Sequence, residues 1–365
     1  MSGASGGTGG AGASGADGNP AKEVREEDSF DVEAVAAWLD RGPIAEVRQF
    51  PGGASNLTYL LRYDDGPDLI LRRPPSGTKA RGAHDMGREY TVQSALAPVF
   101  APVPAMVGHC TDESVIGSEF YVMEKVDGAI LRRDLPESTT PEQADALCRT
   151  FFDTVADLHS VDVSAVPALA ALGKGEGYVA RQVAGWTKRF ADARTDDTGD
   201  WSDVTGWLDA EQPADVAQRL IHNDLRLDNL VLRGLDEGEP EVAAVLDWEM
   251  ATVGDPLMDL GGALAYWVQA DDDEMFRLTR RQPTNAPGMW TRAEVVERYC
   301  ARAGLSVTPE QWRFYEVFGV FRLAVIIQQI WYRYANGQTT NPAFEHFGVM
   351  VGYLEQRCRQ LLAGA

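Results

Sequence analysis

The stretch Leu220-Ile221-His222-Asn223-Asp224-Leu225-Arg226-Leu227-Asp228-Asn229-Leu230 decides how the rest of the chain is read. A second apolar run, Ala244-Val245-Leu246, follows it and ends in Asp247-Trp248-Glu249. Together they spell H-x-D-x-x-x-x-N and then an apolar strand closed by an aspartate. Phosphoryl transfer to an alcohol needs such a set: a carboxylate to orient and deprotonate the hydroxyl, and hard oxygen ligands to hold Mg2+ against the phosphates. Asp224 fits the first role, and Asn229 with Asp247 the second. A short loop returns the amide ligand to the side of the base, and a hairpin after it delivers the third oxygen. Asp and Asn in loops also cap helices and close Asx-turns, but the ordered spacing of all three favours the chemical reading. An imidazole has no part in this transfer, so His222 is expected to hold the loop by hydrogen bonds. Arg226 and Asp228 sit inside the loop and are expected to face solvent or substrate.

Upstream, Gly52-Gly53-Ala54-Ser55-Asn56 joins two strand-like segments, residues 45–50 and 57–63. In such a turn the backbone N–H groups of Gly52, Gly53, Ser55 and Asn56 can approach phosphate closely. Arg72, on the next strand, stands where a kinase places the cation that grips the α- and β-phosphates, and its fork suits phosphate oxygens. Glu89, on a helix expected over residues 86–96, is placed to pair with it. The competing reading makes Arg72 and Arg73 surface charges of an edge strand. Glu124 to Val126, ending the last strand of this region, is where backbone N–H and C=O groups would read an adenine.

The wider pattern is α+β. Residues 1–27, rich in Gly, Ala and Ser and then charged, read as a disordered tail. Asp31 is a plausible N-cap for a short helix stopped by Arg41-Gly42-Pro43. Residues 28–126 carry an antiparallel sheet and one longer helix, a nucleotide-binding lobe. Residues 127–365 carry helices over 142–159, 178–193, 292–303 and 309–334, a lobe holding the catalytic loop and the acceptor pocket. With 365 residues, 44% hydrophobic, the chain can bury a substantial core. Its net charge of −22, from 33 Lys+Arg against 55 Asp+Glu, excludes general nucleic-acid binding. The cysteines, Cys110, Cys148, Cys300 and Cys358, have neither zinc nor disulfide spacing and read as buried thiols. The longest apolar run, residues 323–332, is about half of the ~20 residues a membrane span requires. The opening lacks the basic and apolar regions of a secretory signal, so a cytoplasmic location is the default. Nothing in the sequence speaks to oligomeric state.

From about residue 50 to about residue 339, the chain resembles the aminoglycoside-phosphotransferase and choline-kinase superfamily. It is most similar to the kinase-like domain that some proteins carry ahead of an acyl-CoA dehydrogenase. The matching stretches are Phe50 through Tyr59, Leu71-Arg72-Arg73-Pro74-Pro75, Ala83 through Tyr90, Val245 through Glu249, Gly254-Asp255-Pro256, Asp259-Leu260 and Phe321-Arg322-Leu323, with Arg333 and Gly337-Gln338. The resemblance implies a protein-kinase-like two-lobed fold, ATP and Mg2+ as cofactors, and the roles given above for Asp224, Asn229, Asp247, Arg72 and Glu89. Two positions depart from the common pattern: Asn223 replaces a glycine, which is expected to be neutral, and Arg72 replaces a lysine, as is usual in the dehydrogenase-linked branch. Asp255 and Asp259 are expected to buttress the metal loop or cap the next helix. For that branch the implied small-molecule acceptor is the hydroxyl of a hydroxyacyl-CoA, notably a 4-hydroxyacyl thioester. Arg181, Trp186, Trp331 and Arg333 would supply the wall of its pocket, although tryptophans at helical spacing more often belong to a core. An aminoglycoside or other amino-alcohol is the alternative acceptor, favoured by acidic runs such as Asp271-Asp272-Asp273-Glu274, which otherwise read as a solvated loop or helix start. A non-catalytic nucleotide-binding pseudokinase is the third reading, weakened by the presence of the full Asp224, Asn229 and Asp247 set.

Overall fold

Alternation along three strands divides the small lobe into two apolar layers. The chain is described here from a computed structural model that covers residues 21–51, 56–75 and 85–364. Gly52, Gly53 and Ser55, and the greater part of the expected tail, therefore lie outside the described residues. The structured part begins inside that expected tail: Lys22 pairs with Gln49, and a 3-10 turn spans Glu26–Asp28. Just beyond that tail, Asp28 is buried and accepts from Gln49 Nε2 at 2.8 Å.

Helix α1 (Val32–Leu39) starts on Asp31, whose side chain accepts from the Ala34 N–H. Strands β1 (Glu46–Gln49), β2 (Leu57–Arg62) and β3 (Leu69–Arg73) follow, then α2 (Met86–Leu96), β4 (Met106–Cys110) and β5 (Phe120–Glu124). They form one antiparallel sheet in the order β1-β2-β3-β5-β4. Successive side chains point to opposite faces. Tyr59, Leu61, Leu71 and Val122 pack with Val35 of α1, while Leu60, Ile70, Tyr121 and Met123 pack with Met86 of α2. The same alternation separates Arg72, which meets α2, from Arg73, which lies over Phe30 and Tyr59. Both arginines are buried and β3 is the central strand, so neither is an edge-strand surface charge.

The large lobe runs through α3 (Pro141–His159), α4 (Pro167–Ala170), α5 (Tyr178–Asp192) and α6 (Ser202–Ala210). Short strands follow: β6 (Arg219–Ile221), β7 (Leu230–Arg233), β8 (Glu241–Val245) and β9 (Thr252–Gly254). The chain ends with α7 (Pro256–Leu264), α8 (Glu274–Thr279), α9 (Arg292–Ala303), α10 (Pro309–Ala335) and α11 (Phe347–Ala363). Capping boxes at Thr140, Thr291 and Thr308 start α3, α9 and α10. Helix α10 is long and apolar enough to cross a bilayer, but 61% of its most apolar window is buried within the fold. It contacts α5, α7 and α11. Its crossing with α7 depends on glycine: a Cβ on Gly319 would lie 2.2 Å from the Gly261 carbonyl oxygen. That close approach seats α7, and with it Asp259, beneath the catalytic loop.

Candidate active site

Two small ladders hold the loop that carries Asp224 and Asn229. The loop that starts at His222 leaves β6, which pairs with β9, and re-enters at β7, which pairs with β8. Leu230 lies opposite Val245, and the Leu246 N–H donates to the Asn229 carbonyl at 2.8 Å. Asn229 and Asp247 are thereby brought together from segments that the sequence separates. Asn223 and Asp247 both have left-handed backbone, φ 66° and 67°. Asn tolerates this region better than most residues, which explains how it stands where relatives of the motif have glycine. Its side chain is not idle: Oδ1 accepts from the Tyr178 hydroxyl and Nδ2 donates to the Met250 carbonyl.

Asp259 fastens this loop from below. Its carboxylate accepts the His222 N–H at 2.7 Å and the Asn223 N–H at 2.8 Å, and it meets His159 Nε2 at 3.1 Å. Burial pushes the Asp259 carboxyl up, but the His159 hydrogen bond and the His222 N–H outweigh it and hold the group below its usual range. His222 acts as expected, within the loop. Its Nδ1 accepts the Asp224 N–H at 3.2 Å, so the ring proton sits on Nε2 and donates to the Leu246 carbonyl at 2.9 Å. The Leu227 N–H is taken by the buried Gln282 side chain. Asp255, the other expected buttress, caps α7 through the Leu257 and Met258 N–H groups.

Asp224 is itself fixed: Asn229 Nδ2 donates to its backbone oxygen at 2.8 Å and to Oδ2 at 3.0 Å. The amide thus turns its nitrogen to Asp224. Arg72 Nη1 binds Glu89 Oε1 at 2.5 Å, and Nη2 binds Asp247 Oδ1 at 3.1 Å. Burial pushes Glu89 up and the Arg72 charge opposes it. Asn56 is buried and donates to Glu249 at 3.3 Å, while Arg88 binds the Glu249 and Ala251 carbonyls, tying α2 to the segment after Asp247. Across the cleft, the Glu124 N–H is used by Ala105, whereas the Val126 N–H has no partner among the described residues.

On the other side of Asp224, Arg226 Nη2 donates to Asp228 at 3.2 Å, and its Nε lies 3.8 Å from Asp224 Oδ1. Arg132 also approaches Asp228, at 3.7 Å. The Arg226 guanidinium lies over Tyr266, 5.3 Å from the ring centre. Burial raises the Tyr266 phenol and the Asp224 charge adds to this, while the Arg322 and Arg226 charges oppose it. Trp186 is buried beneath Arg322 and Arg189. Arg181 turns to the carbonyls of Gly175 and Glu176. Trp331 meets Asp197, and Arg333 is exposed and binds Gln329 of its own helix. Arg333 stands eleven residues beyond Arg322 on α10, about 16 Å along the axis from the turn that meets Asn223. Sequence reasoning overlooked Arg322 and Tyr266; the available signal was a lone arginine in the apolar run of α10, quoted only as part of a matching triplet.

Residues 46–315 match the phosphotransferase enzyme family. The chain belongs to that family. Mouse acyl-CoA dehydrogenase family member 10 is 35% identical over 311 residues, which cover 85% of this chain and 28% of the mouse protein. Human acyl-CoA dehydrogenase family member 11 is 32% identical over 349 residues, 93% of this chain and 44% of that one. The chain thus spans less than half the length of these relatives. A solved structure from Ralstonia eutropha, provisionally assigned as an aminoglycoside phosphotransferase, superposes with a TM-score of 0.78 at 32% identity, covering 92% of this chain and 99% of the other. The family member described here is a phosphotransferase with the protein-kinase-like fold.

Proposed function

We propose that this phosphotransferase moves the γ-phosphoryl group of ATP onto the hydroxyl of a hydroxyacyl-CoA, a 4-hydroxyacyl thioester foremost, with Asp224 as general base. The observation that carries the acceptor class is the set of cations at the loop: Arg226 lies beside Asp224, Arg322 holds the carbonyl of the adjacent Asn223, and the nearby Asp228 is matched by Arg226 and Arg132. Such a wall attracts an anionic acceptor and repels a cationic amine. The acidic run that favoured an amino-alcohol is engaged elsewhere. Asp272 is buried between Arg292 and Arg357, and Asp273 caps α8. The kinship with acyl-CoA dehydrogenase family members supports the same class.

In this reading Asp224 accepts the hydroxyl proton as the substrate oxygen forms its bond to the γ-phosphorus, and the bond to the bridging oxygen breaks to release ADP. Asn229 holds the carboxylate in place, while Arg72, braced by Glu89, grips the phosphates. The Val126 N–H and the Glu124 carbonyl read the adenine. The free Asn229 oxygen and the Asp247 carboxylate suit Mg2+, which would neutralise charge on the phosphate oxygens. Among the described residues no cluster of three or more His, Cys, Asp or Glu could hold a metal, and Mg2+ in such sites takes only one or two protein carboxylates beside substrate phosphates.

The test incubates the protein with Mg-ATP and a panel of 4- and 3-hydroxyacyl-CoAs, aminoglycosides and choline, detecting product by mass. Phosphate is expected on the 4-hydroxyacyl-CoA, and the rate is expected to fall by about 10^2–10^4 in Asp224→Asn. Phosphorylation of the amines alone would overturn the acceptor assignment.

A further inference from the structure

Arg322 differs from the arginines that answer the carboxylates of the site. Arg72 has Glu89 and Asp247, Arg226 has Asp228 and Asp224, and Arg132 has Asp228. Arg322 makes no ion pair among the described residues, in a chain of net charge −22. It is nevertheless held in place. Nη2 donates to the Asn223 carbonyl at 2.7 Å, one peptide from the base, and its flat face lies over the buried Trp186, 5.3 Å from the ring centre. Tyr266 lies beneath the Arg226 guanidinium, 5.3 Å from it at the ring centre, and its hydroxyl has no hydrogen-bond partner among the described residues. The Nε and Nη1 donors of Arg322 likewise have no acceptor among the described residues, and neither is sealed from solvent as an orphaned buried atom.

A rigid guanidinium with one edge anchored and another unoccupied is pre-organised to receive an oxygen, because little side-chain freedom remains to be lost. We propose that Arg322 is a specificity-determining residue, which binds the acyl carbonyl oxygen of the acceptor and so sets which hydroxyl reaches Asp224. This rests on the hydroxyacyl-CoA reading above. A chain whose hydroxyl lies at Asp224 runs back past the Asn223 carbonyl, where the unused donors of Arg322 are found. Trp186 positions Arg322 from below, and Tyr266 closes the side of the same pocket.

The experiment compares 4-hydroxypentanoyl-CoA with its thioether analogue, which keeps the hydroxyl and the CoA but lacks the carbonyl oxygen. The wild-type protein is expected to favour the thioester by at least tenfold in kcat/KM, chiefly through KM. In Arg322→Gln that preference is expected to fall below threefold, and in Arg322→Lys, which keeps charge but not the fork, to lie between. If Arg322 only braces the loop, both acceptors lose kcat by the same factor and the preference survives, which overturns the assignment. Equal use of the two acceptors by the wild type overturns it as well. If neither acyl compound is phosphorylated while another alcohol is, the acceptor reading itself fails and the role of Arg322 falls with it.

Discussion

Asp259→Asn tests whether the catalytic loop is held from beneath. The replacement keeps size and removes charge. Asparagine can accept one of the two N–H groups now bound by the carboxylate, those of His222 and Asn223. Its NH2 must then face the second, and it no longer balances His159. Hydrogen bonds to a charged group are worth about 1.5–3 kcal/mol, and a buried donor left without a partner costs about 1–3 kcal/mol. With one bond weakened and one lost, a destabilisation of roughly 3 kcal/mol follows from those same magnitudes. For a unit of this size it lowers Tm by about 4–6 °C. Calorimetry measures that shift, and turnover at saturating substrates measures the second consequence, a fall in kcat of about tenfold or more as the base loses its orientation. A variant whose Tm stays within about 1 °C of wild type, a shift well under 1 kcal/mol, would show that Asp259 does not anchor the loop. A large Tm loss with unchanged kcat would show that the anchoring has no bearing on Asp224.

Two further outcomes follow from buried carboxylates with opposite shifts. Burial pushes Asp255 up to about 6, against the pull of the Val216, Met258 and Leu257 N–H groups. The folded state then binds a proton that the unfolded chain, with a carboxyl near 4, has released, so the Asp255 contribution falls as pH rises from about 4 to 6. Comparing Tm against pH for wild type and Asp255→Asn should show a difference that grows across that window and is flat above it; a difference independent of pH refutes the shift. Asp272 lies below its usual range: burial raises it, but hydrogen bonds and charge from Arg292, the Gln269 N–H and the Arg357 charge prevail. Its contribution is present above the unfolded value and lost as pH falls through the folded one. Asp272→Ala strands two guanidinium groups and should cost about 3–5 kcal/mol near neutral pH, a loss that shrinks in acid; an unchanged Tm at pH 7 would refute it.

How much of this was legible in the sequence depended on the range of the interactions involved. The strands of the small lobe and the helices over residues 86–96 and 292–303 follow from local periodicity and caps, which one stretch of chain contains in full. The meeting of Asp224 and Asn229 was legible because only a short loop separates them. What stayed hidden was set by registers between distant segments. The three-residue strands β6 and β9 carry too few residues to show a period, yet their pairing aims His222 and Asn223 at Asp259. Aspartates 255 and 259 were read together, but only the crossing at Gly261 and Gly319 distinguishes a helix cap from a loop anchor. The arginines and tryptophans of the helices make the same point. Trp186, Arg322, Trp331 and Arg333 all lie on long helices with apolar faces, and composition ranks Arg333 equal to Arg322. The bond from Arg322 to the Asn223 carbonyl separates them, because it spans ninety-nine residues and joins a helix face to one loop peptide. A helix states its period in sequence, but which of its turns meets the base is decided by the partner it packs against.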